Sequence, residues 1–245
     1  GGGEAFKNYK KALEMDPKFA VADIRLAKLF ESQRNWDFVL EFLNDAVKRD
    51  PTFAPAYYEL FYYNFYRARF PEAEGYLNSY IKNSDAEPQH DFLLAQLSWA
   101  KKDFTTAITK AEGVKTAMGD KTKPKVYKLL ADAYFQKGDF ANAKNNMEKY
   151  FSKEKPEEVI ANDYKLLADI ISKTGGTNDE IVNAYLKGVE LDTVLTSKID
   201  FLKQGAAYFK TNKIRDKEGD LIQKIISLKP KPSINDYFDL TLARY

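Results

Sequence analysis

The sequence contains no cysteine and a single histidine, His90. The first absence excludes disulfides, thiolate nucleophiles and cysteine-ligated zinc, and it leaves the redox compartment open. One histidine supplies too few donors for an imidazole zinc site. As a general base it would need a nucleophile and an orienting acid beside it, which spacing alone does not provide. His90 follows Pro88 near the start of a helical stretch and is expected at the surface. No Gly-rich phosphate loop and no spaced calcium loop occurs. Lys173–Gly176 (KTGG) reads as a turn, because no lysine-serine or lysine-threonine follows its glycines. No metal or cofactor is implied.

Long apolar runs are also missing, so no segment is expected to span or insert into a membrane. The opening stretch GGGEAFKNYKKALEMD lacks the apolar segment of a signal peptide. Gly1–Gly3 resemble a tag remnant or linker, so a leader could have been removed. Lysine and arginine total 38 against 36 aspartate and glutamate, a formal charge of +2. Such balance lacks the basic field that dominates nucleic-acid affinity. Residues 121–128 (KTKPKVYK) hold four lysines, but a solvated loop between repeats is the expected reading.

What the sequence has is apolar material, 44% of its 245 residues, enough to bury a core, and a repeat. ALEMDPKFAVA begins at Ala12 and AVKRDPTFAPA at Ala46, an offset of 34 residues. Tyr9, Leu43, Leu77 and Ala111 continue that spacing, as do Trp36, Phe70 and Phe104. A leucine series runs Leu26, Leu60, Leu94, Leu130 and Leu167, passes through Gln204 and ends at Leu240. The next residue is small in most copies: Ala27, Ala95, Ala131, Ala168 and Gly205, with Phe61 and Thr241 as exceptions. Within a unit the period is helical. Tyr127, Leu130, Ala131 and Tyr134 form one stripe, and Phe140, Ala143, Met147 and Tyr150 a second beyond a break at Gly138-Asp139. Prolines 17, 51, 88, 124, 156 and 230 mark the seams, since proline cannot continue a helix interior.

These residues resemble the tetratricopeptide repeat family. YKLLADAYFQKGDFANAKNNMEKYF carries its aromatic, Leu, Ala, Tyr, Gly, aromatic and Ala positions, and EAFKNYKKALEMDP its second-helix half. The match spans nearly the whole chain and weakens around SKTGGTND and at Gln204 and Lys217. The resemblance implies an all-α fold: a right-handed superhelical solenoid of about six helix hairpins with a half-repeat at each end, first helices lining a concave groove. Physics agrees, because a lone hairpin cannot cover its apolar stripe and stacking completes the core. Residues 4–245 are expected to form this one solenoid, with seams near 17–20, 51–54, 85–88, 119–124, 156–161, 193–198 and 229–232. The chain opens inside a second helix and closes inside a first helix. It is therefore expected to be a piece of a longer protein, or to self-associate through uncapped ends.

Residues 57–70, YYELFYYNFYRARF, hold eight tyrosines and phenylalanines among fourteen residues. In a first helix over about Ala54–Ala68, Tyr57, Leu60, Phe61 and Asn64 fall on the packing stripe, and Tyr63 faces a neighbouring helix. Tyr58, Tyr62, Phe65 and Tyr66 remain for the groove, where the next unit places Phe92, Gln96 and Trp99. An aromatic side chain carries about 150–250 Å², so these rings form a binding patch or pack on one another as the stack curls. The groove elsewhere carries Lys128/Asp132 and Lys165/Asp169, helix neighbours read as a polar strip for a ligand or as solvated ion pairs. Some family members clamp a C-terminal carboxylate with lysines and asparagines. Ile24, Lys28, Glu59, Gln89 and Leu93 do not match that clamp, nor do Lys128, Asp132, Leu166, Ile199 and Lys203.

The function expected is non-catalytic capture of a protein or peptide, as a scaffold or assembly adaptor. Two rivals are support of a catalytic domain outside this chain and a nucleic-acid-binding helical repeat, though the groove positions show no uniform base-reading code. Abundant lysine over arginine, with frequent asparagine and tyrosine, points to an AT-rich, bacterial genome. The compartment, cytoplasmic or exported, stays open.

Overall fold

In the computed structural model, residues 2–245 are described and form fourteen α-helices, with no strand among them. They fall into two compact units, divided after Gly119. The first holds α1 (Gly2–Met15), α2 (Ala20–Ser32), α3 (Trp36–Arg49), α4 (Ala54–Phe65), α5 (Phe70–Asn83), α6 (Pro88–Ala100) and α7 (Phe104–Met118). The second holds α8 (Pro124–Gln136), α9 (Phe140–Lys153), α10 (Ala161–Lys173), α11 (Asn178–Leu191), α12 (Leu195–Thr211), α13 (Arg215–Leu228) and α14 (Ile234–Arg244). Six hairpins result, α2/α3, α4/α5 and α6/α7 in one unit and α8/α9, α10/α11 and α12/α13 in the other. A single helix packs at each end, α1 on α2 and α14 on α13.

Neither unit has one central core. In the first, a cluster built on Leu26, Phe42, Leu43 and Leu60 spans α1–α4, and a second built on Phe61, Leu77, Leu93 and Leu97 spans α4–α6. Thus α4 gives Leu60 to one cluster and its neighbour Phe61 to the next. In the second unit α10 does the same with Ile170 and Ala168. The leucine series and the small residues after it occupy these shared interfaces: Leu26, Leu60, Leu130, Ala27, Ala95, Ala131 and Ala168 are all buried. Counted back from the turning residues Arg34 and Lys213, Gly205 stands at the register of Leu26 and Ala206 at that of Ala27, one place from the expected alignment; a Cβ on Gly205 would lie 2.7 Å from Leu221 Cδ1 and 2.9 Å from Tyr185 Cγ, so the helices approach closely there. Phe61 takes the small-residue position in α4 and is wholly buried. Its ring packs on Tyr62 at 4.8 Å and Phe65 at 5.5 Å, so this repeat fills with rings where others close backbone to backbone.

Each hairpin turns through one motif. The residue after the turning residue donates its N–H five residues back, as Asp103 N does to Ser98 O at 2.9 Å, and in α2/α3, α4/α5, α6/α7, α8/α9 and α12/α13 the turning residue itself donates three back, as Lys102 N does to Trp99 O at 2.9 Å. This is the Schellman arrangement, which places its turning residue at positive φ. Gly138 and Gly175 fill that place in α8/α9 and α10/α11, while Arg34, Ala68, Lys102 and Lys213 adopt it despite their Cβ atoms. Asp103 and Asp139 then cap the following helices by accepting from Thr106 N and Asn142 N, both at 3.1 Å.

Four local expectations change. Helix α4 ends at Phe65, because Ala68 is the left-handed turning residue rather than the helix end. Of the expected linker, Gly2 and Gly3 form the first turn of α1, and Gly1 lies outside the described residues. His90 is buried, not on the surface: its Nε2 lies 2.9 Å from Ser84 Oγ and its ring stands edge-on to Tyr80 at 5.3 Å. The lysine-rich stretch 121–128 is a loop only as far as Lys123, since Pro124 opens α8 at a first-turn position that needs no N–H.

A positive φ costs a non-glycine residue roughly 1–2 kcal/mol. Lys102→Gly is therefore expected to stabilise the fold by about 1 kcal/mol, read as a higher midpoint in urea unfolding with unchanged slope.

Candidate functional site

A cavity of about 600 Å³ opens in the first unit between α2, the start of α3, and α4. Ile24, Ala27, Lys28 and Glu31 line it from α2, Trp36, Val39 and Leu43 from α3, and Glu59, Tyr62, Tyr63, Tyr66 and Arg67 from α4 and its turn. The helical period sets this lining, because α2 and α4 each present residues three, four and seven apart. Lys28 bridges the two first helices by an ion pair to Glu59 at 2.9 Å. The Arg67 guanidinium lies 3.7 Å from the Tyr63 ring centroid and 4.6 Å from that of Trp36, and its Nη1 donates to the Tyr63 carbonyl at 2.8 Å. Tyr66, 77% exposed, stacks on Tyr62 with centroids 5.6 Å apart. Tyr62 in turn directs its hydroxyl to Gln96 Oε1 at 3.4 Å. Burial, followed by the neighbouring Tyr58 hydroxyl, pushes the Tyr62 phenol well above its ordinary range and keeps it neutral.

The α4 rings of the expected set stay in contact, Tyr58 with Tyr62 at 5.0 Å, Tyr62 with Phe65 at 6.3 Å and Phe65 with Tyr66 at 5.6 Å, but only part of the set reaches the cavity. Tyr62 and Tyr66 line the cavity. Tyr58 and Phe65 are half-buried against the α4–α6 cluster, Tyr58 edge-on to Tyr80 at 5.3 Å and Phe65 edge-on to Phe70 at 6.3 Å. Phe92 is buried, Gln96 is the acceptor for Tyr62, and Trp99 is 37% exposed on α6. The aromatic and charged cavity residues outside the expected set are Trp36, Tyr63, Glu31 and Arg67, with Lys28 and Glu59. Trp36 was visible as an aromatic recurring with Phe70 and Phe104. The others had no signal beyond their helix offsets, since the cavity opens towards the preceding repeat, while Tyr62 also reaches Gln96 of the following one.

The charged set lies in the second unit. Lys165 and Asp169 form the expected pair on α10 at 2.8 Å. Asp132 accepts from Gln136 Nε2 at 3.3 Å. Lys128 reaches from α8 to Asp163 on α10. Asp163 is buried and also accepts from the Tyr150 hydroxyl at 2.6 Å and the Ile160 N–H at 3.1 Å. The last bond caps α10, and the three together tie α8, α9 and α10 to one carboxylate. Burial, then this hydrogen bond and the charge of Asp163, push the Tyr150 phenol well up. Asp163→Ala would strand Lys128, the Tyr150 hydroxyl and the α10 N-terminus. A loss of about 2–4 kcal/mol is expected in urea unfolding, with Asp163→Asn costing less.

A second cavity, about 330 Å³, lies between α12, α13 and α14. Its lining residues Lys203, Ala206, Ala207, Lys210, Arg215, Glu218 and Ile222 stand at the same register as Ile24, Ala27, Lys28, Glu31, Trp36, Val39 and Leu43 of the first. The place in the repeat is thus shared, while the chemistry differs: rings in one unit, and in the other no ring but charges of both signs, Lys203, Lys210 and Arg215 with Glu218, Asp236 and Asp239. Asp236 lines this cavity from α14. The Lys229 ammonium at 2.5 Å, with the Ser233 backbone N–H and hydroxyl, holds its carboxyl at about 2. A carboxyl depressed from about 3.9 contributes stability that is complete above that value and is lost as pH falls through 2. Amide protection over residues 234–244, taken relative to an unstructured amide at the same pH, is therefore expected to fall between pH 4 and 2 in the folded protein, and Asp236→Asn to show the low protection already at neutral pH.

Residues 124–152, the α8/α9 hairpin, match the family model of the tetratricopeptide repeat. The match covers that one hairpin, and the rest of the chain repeats the same helix-hairpin fold. Solved structures with similar folds include the Cut9–Hcn1 hetero-tetramer of the APC/C, at TM-score 0.74 and 14% identity, covering all of this chain and 46% of that one. The chain thus spans less than half of that relative. PilF of Pseudomonas aeruginosa matches at TM-score 0.63 and 16% identity over 99% of both chains. YrrB, described as a tetratricopeptide protein with an unusual peptide-binding site, matches at 0.55 and 14% over 75% of this chain and 92% of its own. At such identities the likeness is one of fold. No curated protein sequence matches significantly. Among the described residues, no helix is long and apolar enough to cross a membrane.

Proposed function

We propose that the chain is a non-catalytic scaffold that holds a protein or peptide segment in the cavity between α2, α3 and α4. The observation that carries this reading is the recurrence of a cavity at one register of the repeat in both units, lined by residues of different chemistry. A packing defect would not be expected at the same place twice. The size suits one or two side chains of a ligand, and rigid tyrosine and tryptophan rings are the residue types that dominate binding energy. Peptide binding named for YrrB, a protein of similar fold, supports the same reading.

Tyr66 is the residue to remove, because its exposure leaves the fold indifferent to its loss. Peptides selected by panning a random library against the protein are expected to lose about tenfold or more in affinity on Tyr66→Ala, as aromatic hot spots do. Trp99→Ala on α6 should leave affinity unchanged. If panning yields no binder, or if Trp99→Ala abolishes capture while Tyr66→Ala does not, the cavity is not the ligand site.

A further inference from the structure

We propose that two copies of this chain pair through α14, antiparallel and about a two-fold axis, by an uncharged stripe on its outer face. Helices α2, α4, α6, α10 and α12 each pack on the helix before and the helix after, whereas α14, in the same first-helix place, packs on α13. Its less exposed residues, Asp236, Leu240 and Ala243, recur at helical spacing along one face. Its charges are engaged with α13 as well, Asp236 with Lys229 and Arg244 with Asp220. The opposite face carries Ile234, Tyr237, Phe238, Thr241, Leu242 and Tyr245, and its five large apolar side chains are each at least 52% exposed. Counting about 150–250 Å² for each ring, the stripe offers on the order of 700 Å² of side chain. The largest patch on an ordinary monomer is about 300–600 Å², and one side of a standard interface buries about 800 Å². The stripe is therefore of the size that a stable dimer needs.

Its cover must be apolar and one helix long. The α1 helix of another copy does not qualify, because its open face carries Glu4, Lys7, Lys11 and Glu14. Stacking the chains head to tail would press those charges against rings and strip them of water. The α14 stripe of a second copy does qualify. Its positions are symmetric about the midpoint between Asp239 and Leu240. A two-fold axis there sets Ile234 level with Tyr245 of the second copy, and Phe238 level with its Thr241. Asp239 lies on the flank and stays in water, and the ion pairs to α13 need not break. Such an isologous contact consumes the stripe on both chains and closes at two. It lies wholly in the second unit, so it stands or falls apart from the α2/α3/α4 cavity.

Sedimentation equilibrium of the full chain is expected to give twice the 28.1 kDa of one chain, with dissociation at about 10 μM or below. Phe238→Glu with Leu242→Glu changes two exposed residues. The pair is expected to weaken about a hundredfold or more, with circular dichroism unchanged. Lys7→Glu on α1 should leave the dimer intact. The absence of cysteine allows the orientation to be read with single thiols. An equimolar mixture of Ile234→Cys and Tyr245→Cys chains should crosslink through a short bismaleimide. Ile234→Cys alone should not, since its two copies would lie about 16 Å apart along the helices. A monomer at every concentration up to about 100 μM overturns the proposal. So does a dimer indifferent to the double glutamate change, or one in which Ile234→Cys crosslinks to itself. Mass growing past two chains with concentration overturns it in favour of open stacking.

Discussion

The structure depends on the inability of a two-helix hairpin to cover its own apolar surface. Each first helix must pack on two sides, and adjacent residues are divided between those sides. In α4 the division falls between Leu60 and Phe61. An interface of that kind needs either a small residue, so that helices approach, or a ring large enough to fill the space left. Alanine and Gly205 take the first course and Phe61 the second. Stability is then a sum of neighbouring interfaces rather than the property of one central core, and the groove-facing residues are free to change without disturbing it.

That freedom accounts for the two cavities. Both lie at one register, where a first helix, the start of its partner and the next first helix face a common space. The backbone supplies the place and the side chains decide its character. Trp36 and Arg215 occupy equivalent positions, as do Glu31 and Lys210. A repeat protein can therefore carry sites of different selectivity on the same framework, each built from local substitutions.

The framework was legible because its signals are periodic and redundant. The leucine series, the small residue after it and the prolines at the seams each located the same hairpins. The turns were legible only where Gly138 and Gly175 marked them. At Arg34, Ala68, Lys102 and Lys213 the same backbone is imposed by the Schellman hydrogen bonds on residues with no preference for it. The candidate site was half legible. Tyr62 and Tyr66 were singled out by surplus aromaticity, but helical offsets do not say whether a ring turns to the repeat before or the repeat after. Tyr58 and Phe65 turned towards Tyr80 and Phe70 of α5. Lys128 was read with Asp132 on its own helix, whereas Asp163 lies in the next hairpin, at a distance that no local period reveals.

The carboxylate of Asp163 also bears on how the second unit comes apart. Where neighbouring repeats meet only through apolar contacts, a terminal hairpin can fray while the rest persists. Here one anion is shared by a lysine of α8, a phenol of α9 and the opening amide of α10. Releasing α10 would expose a buried charge and orphan two donors on the hairpin left behind. The two hairpins joined at that point thus open as one cooperative block, a stiff segment within an otherwise stepwise array.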